Sequence, residues 1–424
     1  MIAETATKLL ARYLLGGDSR LVFEAIDTIE LPPIEKTGFY VHIPFCKNTC
    51  PYCPYNKVPY DERLVEPYVE AMLVEIERYH ARLGRVQVPS VYIGGGTPTN
   101  LIDELGTVVD RIRDRFDVTG DVCVETNPSD LSEDVVAKLS DIGVGLVSVG
   151  VQSFDDRYLQ LIGRDYPASI LDATIGSLLA RGFQSVNIDL MFALPGQTVK
   201  EVLSDVETAI ASGVDQITLY PLFTFPYTTA GKFLRLRSVK MPNVFTRRRM
   251  YREIHRSCLD GGFQRVSVWG FKRGDAPRYS SVTRDSYIGL GAGAGSCVPG
   301  AFYFNTFSVD QYVTTCLDDR LPVALKLDFT ELVARYYWLY WRLYDTCVDK
   351  TQLLQVFGDT DRRLRPLLGV ARALGLCRED VGQLRLTEPG AFWLHLIQNY
   401  FALTYIDRVW SVAMAEPWPR EIRI

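Results

Sequence analysis

The chain has 424 residues, enough to bury one large core or one core with an appendage. Its 46 basic and 51 acidic residues give a formal net charge of −5, which offers no electrostatic case for a nucleic-acid partner. The longest apolar stretch, residues 142–151, is far shorter than the roughly 20 residues that span a bilayer. Because the cysteines form no regular framework and the N-terminus lacks a basic signal-peptide region, we expect a cytoplasmic protein without a membrane partner.

Six short apolar runs, rich in β-branched residues, recur along the first half of the chain. Their apolar residues are continuous rather than alternating, which indicates strands buried on both faces of a parallel sheet. The predicted strands are residues 38–43, 90–95, 121–126, 146–151, 185–192 and 216–222.

Helical segments separate these strands. Residues 64–84 carry apolar side chains at helical spacing, and residues 198–213 begin with a capping box formed by Thr198 and Glu201. Repeated βα units of this kind favour a barrel or partial barrel with its helices outside.

Polar and glycine-rich residues follow the carboxyl ends of the predicted strands. The first strand leads into a cysteine loop and the second into residues 94–97, while the third carries Glu125, the fourth leads to Gln152 and the fifth bears Asp189. Because (β/α) barrels place their chemistry at this rim, the pattern predicts a single site. Two alternatives remain open, since a buried aspartate is often a hydrogen-bonded core residue and Gln152 could bond a loop backbone.

Three cysteines stand within eight residues, as Cys46, Cys50 and Cys53, with the spacing C-x3-C-x2-C. Four thiolates saturate a [4Fe–4S] cube, so three would leave one iron free to bind a substrate or cofactor. The alternatives are a zinc knuckle with a distant fourth ligand, or cysteines without a common role. We interpret His42 as a hydrogen-bonded structural residue rather than a ligand.

Beyond residue 325 the chain becomes rich in aromatic residues at helical spacing. Residues 376–390 predict a β-hairpin that leads into a helix. Helices with such a wing resemble a winged-helix unit, and the weak net charge argues against DNA binding by it.

Five segments together closely resemble the radical S-adenosylmethionine (SAM) enzymes. Within that superfamily they resemble the branch of oxygen-independent coproporphyrinogen III oxidase, its related heme chaperone and the class C radical SAM methyltransferases. The segments are YVHIPFCKNTCPYC (40–53), GGGTPT (94–99), GVQSFDDRYLQLIGR (150–164), IDLMFALPGQT (188–198) and GLGAGAGS (289–296).

The resemblance implies an α/β fold, a partial (β/α)6 radical SAM barrel with a mainly helical, winged-helix-like C-terminal domain. We expect four parts along the chain. They are an N-terminal helical segment (1–37), the core barrel (38–225), a barrel extension with the late glycine loop (226–325) and a helical cap domain (326–424).

The resemblance also assigns ligands. Cys46, Cys50 and Cys53 would hold a [4Fe–4S] cluster whose open iron chelates one SAM. Further contacts to that SAM are expected from Tyr40, Gly95, Gly96, Thr97, Glu125 and Arg164.

Members of this branch bind a second SAM. Tyr52, Gln152 and Asp189 match positions that line the second site. Phe223, in the segment FTFP (223–226), and Gly295, in the late glycine loop, match its outer wall.

Two departures from the branch's patterns affect the expected reaction. Tyr55 stands where the coproporphyrinogen oxidases carry another cysteine, and residues 277–291 lack the chaperones' His-Asn-x-x-Tyr-Trp element. We therefore favour an enzyme that uses two SAM molecules for methylation or cyclopropanation of an sp2 carbon. The alternatives are a coproporphyrinogen-oxidase-like or heme-processing enzyme and a non-catalytic heme chaperone. Expected partners are a small-molecule substrate, aromatic or unsaturated, and an electron donor such as flavodoxin or ferredoxin.

Overall fold

The computed structural model of the chain describes residues 2–16, 20–223, 225, 227–228, 241–278, 285–358 and 362–424. The α-helices in these ranges are α1 (Ile2–Leu15), α2 (Glu62–Leu83), α3 (Ile102–Arg115), α4 (Glu133–Asp141), α5 (Asp156–Leu161), α6 (Leu171–Arg181), α7 (Val199–Ala211), α8 (Val244–Asp260), α9 (Val309–Leu317), α10 (Glu331–Tyr344), α11 (Lys350–Phe357), α12 (Leu364–Ala373) and α13 (Glu388–Ala413).

The strands in the same ranges are β1 (Val22–Ala25), β2 (Gly38–Ile43), β3 (Phe45–Cys46), β4 (Val58–Pro59), β5 (Gln87–Gly95), β6 (Asp117–Thr126), β7 (Leu146–Gln152), β8 (Ser185–Phe192), β9 (Gln216–Pro221), β10 (Phe263–Arg265), β11 (Gly270–Arg273), β12 (Tyr287–Leu290), β13 (Gly295–Val298), β14 (Ala301–Asn305), β15 (Val323–Asp328), β16 (Cys347–Asp349), β17 (Cys377–Asp380), β18 (Gln383–Leu386) and β19 (Glu421–Arg423).

A run of parallel strands forms the centre of a 14-stranded sheet. Its order is β2-β5-β6-β7-β8-β9, and β12 lies parallel to β2 on the other side. These are the six strands predicted from the sequence; β2 and β8 have the predicted bounds, and the others differ only at their ends. Because the strands are parallel, their carboxyl ends meet at one rim, which confirms the predicted α/β architecture.

Antiparallel strands extend this run at both ends. One end continues through β11 to β10, and the other continues from β12 through β13, β14, β15 and β1 to β19. The described sheet is therefore open, as a partial barrel is.

Local signals in the sequence form the helices where they were expected. Helix α7 begins with the predicted capping box, in which the Thr198 backbone N–H donates to the Glu201 carboxylate at 2.8 Å. Reciprocal bonds of this kind satisfy backbone groups that have no partner within the helix.

The N-terminal segment, predicted to be helical over 1–37, contains a strand as well as a helix. Helix α1 is followed by β1, which pairs with both β15 and β19. A four-residue strand gives a weak pattern in the sequence, and its pairing partners lie far along the chain. The other domain boundaries remain predictions, and residues 229–240, next to one of them, lie outside the described ranges.

The C-terminal region contains the predicted hairpin, formed by β17 and β18, with β16 added to its other edge. Helix α13 follows it and lies beside α1, where the Thr7 hydroxyl donates to the Ile397 carbonyl at 3.3 Å. No helix among the described residues combines the length and apolar character needed to cross a lipid bilayer.

Candidate active site

The cysteine loop lies at the carboxyl end of β2. Cys46 is buried, Cys50 and Cys53 are half-buried, and all three thiols are free. The Cys53 N–H donates to the Cys50 carbonyl at 3.3 Å, and the Lys57 ammonium donates to the Cys53 carbonyl at 2.8 Å. The loop backbone is thus held in place around the thiols.

These thiols fit a cluster ligand set. Burial raises the pKa of the Cys46 thiol to about 11, and negative charge on Cys53 and Cys50 adds to the rise, so the three groups lie within electrostatic reach of one another. Across the described ranges, no three His, Cys, Asp or Glu side chains are placed to hold a metal ion. A cube binds each thiolate at a different iron, so it does not require the convergence that one ion does.

The glycine run at residues 94–96, at the end of β5, packs directly on β2 and β3, which together we call the cysteine strand. The Gly96 N–H donates to the Ile43 carbonyl at 2.7 Å, and the Thr97 N–H donates to the Phe45 carbonyl at 2.9 Å. Gly95 has a φ of +114°, and a Cβ there would lie 2.6 Å from the His42 ring. Only glycine both adopts this positive φ readily and lacks the Cβ that would clash with the His42 ring. The contact with the cysteine strand therefore requires glycine at this position.

His42 is confirmed as a structural residue. Its Nε2 lies 2.9 Å from the Asn56 carbonyl oxygen, and its Nδ1 lies 2.8 Å from the Tyr40 hydroxyl. Burial lowers the pKa of His42 to about 4, so the ring is neutral at physiological pH.

Glu125 lies at the end of β6, beside the glycine run. Its carboxylate accepts hydrogen bonds from the Tyr92 hydroxyl and, at 3.2 Å, from the Gly95 N–H. Burial raises the pKa of the Glu125 carboxyl, and the Tyr40 ring lies 6.0 Å from that of Tyr92. The structure therefore brings the predicted residues Tyr40 and Gly95 close to the carboxyl of a third predicted residue, Glu125.

Asp189 lies on β8, two strands along the sheet from the Glu125 strand β6. Its carboxylate accepts from the Asn187 amide at 2.9 Å and from the Ser148 hydroxyl at 3.2 Å. Burial raises the pKa of Asp189 to about 7, and the negative charge of Glu125 adds to the rise. This electrostatic effect indicates that the two carboxyls face a common interior.

Gln152 ends β7 in an unusual backbone conformation, with a φ of +68°. Its side-chain oxygen accepts from the Tyr220 hydroxyl at 2.9 Å. Left-handed backbone at a residue other than glycine costs free energy and is concentrated at functional sites. One interpretation of Gln152 was a hydrogen bond to a loop backbone. In the structure its side-chain oxygen bonds to the Tyr220 hydroxyl instead.

Arg164, predicted to contact the cluster-bound SAM, lies beside Tyr52, predicted to line the second SAM site. Its guanidinium donates to the Asn127 side-chain oxygen at 3.0 Å. The guanidinium carbon lies 5.9 Å from the centre of the Tyr52 ring, in the cysteine loop. Arg164 and Tyr52 are therefore neighbours.

The two predicted wall residues lie in different places. Phe223 stacks on Tyr220, with ring centroids 6.4 Å apart and planes at 5°. Gly295 begins β13 and lines a cavity together with Tyr40. Thr224 and Pro226 of the same predicted segment lie outside the described ranges.

Several site residues were not predicted. Tyr92 pairs with Tyr40 in the register of β2 and β5, and Asn187 lies two residues before Asp189 on the same face of β8. Alternation along a strand could have indicated both. Ser148 and Tyr220 carry no such signal, because only the order of the strands in the sheet places them next to the site.

Comparisons with known proteins agree with this geometry. The family model of the radical SAM superfamily matches residues 40–209. The heme chaperone HemW of Lactococcus lactis is 31% identical over 280 residues, which cover 65% of this chain and 73% of that protein. Anaerobilin synthase of Escherichia coli O157:H7 is 26% identical over 390 residues, covering 89% and 86%.

A solved structure is similar in fold. Coproporphyrinogen III oxidase (HemN) from Escherichia coli superimposes with a TM-score of 0.75 at 21% identity, covering 88% of this chain and 91% of that one. These three proteins are named as a chaperone, a synthase and an oxidase, and none of them as a methyltransferase. The chain therefore belongs to the radical SAM superfamily, which implies a [4Fe–4S] cluster and SAM, and within it to the branch of HemW and HemN-like proteins.

Proposed function

We propose that this protein is an enzyme that binds two SAM molecules and moves a methyl-derived carbon from one of them to an sp2 carbon of a small molecule. The product would be a methylated or cyclopropanated substrate. Cys46, Cys50 and Cys53 would hold the cluster, which would supply the electron for cleavage of one SAM, and the residues around the other SAM would hold its methyl group within reach for hydrogen transfer.

The observation that carries this proposal is the presence of two polar groups along the rim. The first, which we call the Glu125 group, consists of Tyr40, Tyr92, Gly95 and Glu125. The second, the Asp189 group, consists of Ser148, Gln152, Asn187, Asp189 and Tyr220. Each group has its own carboxyl and its own hydrogen bonds.

The Glu125 group is suited to the SAM at the cluster. Gly95 and Gly96 bring their backbone against the cysteine strand, and Glu125 is held beside them by Gly95. A carboxyl and exposed backbone groups can orient the polar end of a sulfonium ligand at the open iron. Thr97, which donates to the Cys46 sulfur at 3.8 Å, supports the same loop.

The Asp189 group is suited to the second SAM. The pKa of about 7 lets Asp189 either donate or accept a hydrogen bond near neutral pH. Gln152 is held by Tyr220, on which Phe223 stacks, so a flat ring could extend this stack. Tyr52 of the cysteine loop and Tyr220 of this group pack against the same buried hydrophobic cluster, and Arg164 lies beside Tyr52.

An electron must enter from outside the protein in each turnover. We propose a flavodoxin or a ferredoxin as the donor, and a cytoplasmic location, where both are found with reduced thiols.

A second candidate is a porphyrin- or heme-processing enzyme, and a third is a heme chaperone. The names of the relatives favour both, since HemW is a heme chaperone and HemN a coproporphyrinogen III oxidase. In the oxidase-like case the radical would take hydrogen from the substrate itself. A chaperone would keep its cluster without coupling SAM cleavage to a substrate.

Methyl-deuterated SAM distinguishes these candidates. We expect the reduced protein to place deuterium in 5′-deoxyadenosine and to release S-adenosylhomocysteine as substrate is consumed. Substrate consumption with unlabelled 5′-deoxyadenosine would refute our proposal and support a porphyrin- or heme-processing enzyme. Tight heme binding without turnover would refute it and support a heme chaperone.

A further inference from the structure

A large cavity adjoins the candidate active site. Its volume is about 520 Å³, within the range of small-molecule sites, and we call it the apolar chamber. Helices α1, α10 and α13 and the strands β13–β15 form its walls. Phe302, Tyr337, Phe401 and Tyr405 are among the aromatic rings that line it, and each keeps part of its surface accessible.

The chamber is continuous with the Glu125 group. Tyr40, Tyr92, Gly95 and Glu125 line one end of it. Tyr55, from the cysteine loop, also lines it, and 52% of its surface is accessible although its ring packs on the cap. A molecule in the chamber would therefore reach the place where the radical is generated.

The chamber is elongated. Its lining on α13 runs from Leu394 to Trp410, a distance of about 24 Å at the rise of an α-helix. On α1 it runs from Thr7 to Leu15, about 12 Å. A long chain fits such a shape better than a compact ligand does.

The lining carries little charge. Among the described residues that form it, none is Lys or Arg, and the His42 ring is neutral because burial lowers its pKa to about 4. Glu125, which the proposed function assigns to SAM, offers an anion no opposite charge. Carboxylates buried without a cation or a full set of hydrogen bonds are strongly disfavoured. A porphyrin that buries its propionates here would meet that cost.

We propose that the apolar chamber binds an uncharged, elongated substrate with carbon–carbon double bonds, such as a polyene ester, and excludes carboxylated porphyrins. The double bond rests on the proposed function, which requires an sp2 carbon; the preference for an uncharged chain rests on the lining alone. The chamber thereby selects the substrate by charge and by length.

The test measures binding rather than turnover. The probe is the methyl ester of parinaric acid, a tetraene whose fluorescence rises in an apolar site, added to anaerobically reconstituted full-length protein. Parinaric acid itself and coproporphyrin III are added, each at the same concentration, to compete with the ester for the chamber. We expect the ester to bind more tightly than either carboxylate by about tenfold or more, because only the carboxylates must bury charge.

Two substitutions locate the site. Ala402→Trp fills the chamber from α13 and should weaken ester binding by about tenfold or more, whereas Thr404→Phe, on the exposed side of the same helix, should not. Phe401→Lys adds a cation to the lining and should narrow or reverse the preference for the ester over the acid. Cluster absorbance and circular dichroism check that each variant is folded. If Ala402→Trp does not fold, Leu10→Trp, which fills the chamber from α1, takes its place.

The outcomes are separable from those of the proposed function. Tighter binding of coproporphyrin III than of the ester, or unchanged ester binding in both folded filling variants, would overturn the chamber proposal. Deuterium transfer from methyl-deuterated SAM is measured independently. Ester binding without that transfer would overturn the two-SAM reaction and leave the chamber in place.

Discussion

Tyr55 of the cysteine loop packs against Trp410 of helix α13, with ring centroids 5.8 Å apart and planes at 52°. Tyr55 follows Cys53 by two residues, and Trp410 also packs on Phe307 of the loop after β14. The cluster loop and the C-terminal helix are therefore in direct contact. We expect this contact to shield the cluster from solvent.

Replacing Tyr55 with Ala should open this contact. We expect the reconstituted cluster to form but to lose its absorbance in air several-fold faster, because oxygen reaches it through the gap. The control is Phe245→Ala, an aromatic residue that is 75% exposed on α8. Equal bleaching rates in both variants would contradict a shielding role for Tyr55.

Each of the substitutions Cys46→Ala, Cys50→Ala and Cys53→Ala should abolish cluster binding. Anaerobically reconstituted wild-type protein should contain about four iron and four sulfide per chain, and each variant should lose them because a corner of the cube has no ligand. Iron and sulfide analysis measures this. Cys123→Ala, at a buried thiol on β6, should keep the full cluster, and full retention in the Cys50 variant would refute the ligand assignment.

The Glu125→Gln variant should keep the cluster but bind SAM more weakly. The amide preserves size and can accept from Tyr92, but it removes a charge-bearing partner from a buried site, which costs on the order of 1–3 kcal/mol. Isothermal titration of reconstituted protein with SAM measures the change. Glu207→Gln, at an exposed position on α7, is the matched control. An unchanged SAM affinity would make Glu125 a structural residue.

Asp189 should make stability depend on pH. Its pKa rises from 3.8 to about 7 on folding, so between these values the folded state holds a proton that the unfolded state has released. The free energy of unfolding contributed by this group therefore falls as pH rises through that window, and the loss is complete above pH 7. Asp189→Asn cannot ionise, so its stability relative to wild type should increase over the same window.

Urea denaturation at about pH 5 and about pH 8 measures this difference, with both proteins compared at each pH. The exposed Asp260→Asn serves as the control and should show a constant difference from wild type. A constant difference for Asp189→Asn as well would mean that the carboxyl is charged in the folded protein throughout.

Much of the central fold could be predicted because its signals are local. The apolar runs of β2 and β8, the Thr198 capping box and the β17–β18 hairpin all lie within a few residues of sequence. The antiparallel strands that complete the sheet could not be predicted, since strands of three to six residues give weak patterns in the sequence and some pair with partners far along the chain. β1 is the clearest example.

The site divides in the same way. Glu125 and Asp189 were predicted because each lies in a recognisable strand that leads to the rim, whereas Tyr220 was not predicted, although it holds Gln152. Outside the site, Glu75 was missed as well: it is fully buried in α2, and its carboxylate accepts from the Gly291 N–H, Asn305 and Tyr312. Its partners lie more than two hundred residues along the chain, so no local pattern could connect them to it.

The pairing of Val22 in β1 with Arg423 in β19 has a consequence for the order of folding. Closing a loop of about four hundred residues costs more chain entropy than any of the βα steps that build β2 to β9, so we expect this edge of the sheet to form last. The cysteine strand and glycine run lie within those early βα units. If this edge forms last, α13 is fixed over the cysteine loop only late, so we expect the three cysteines to stay accessible for cluster assembly until then.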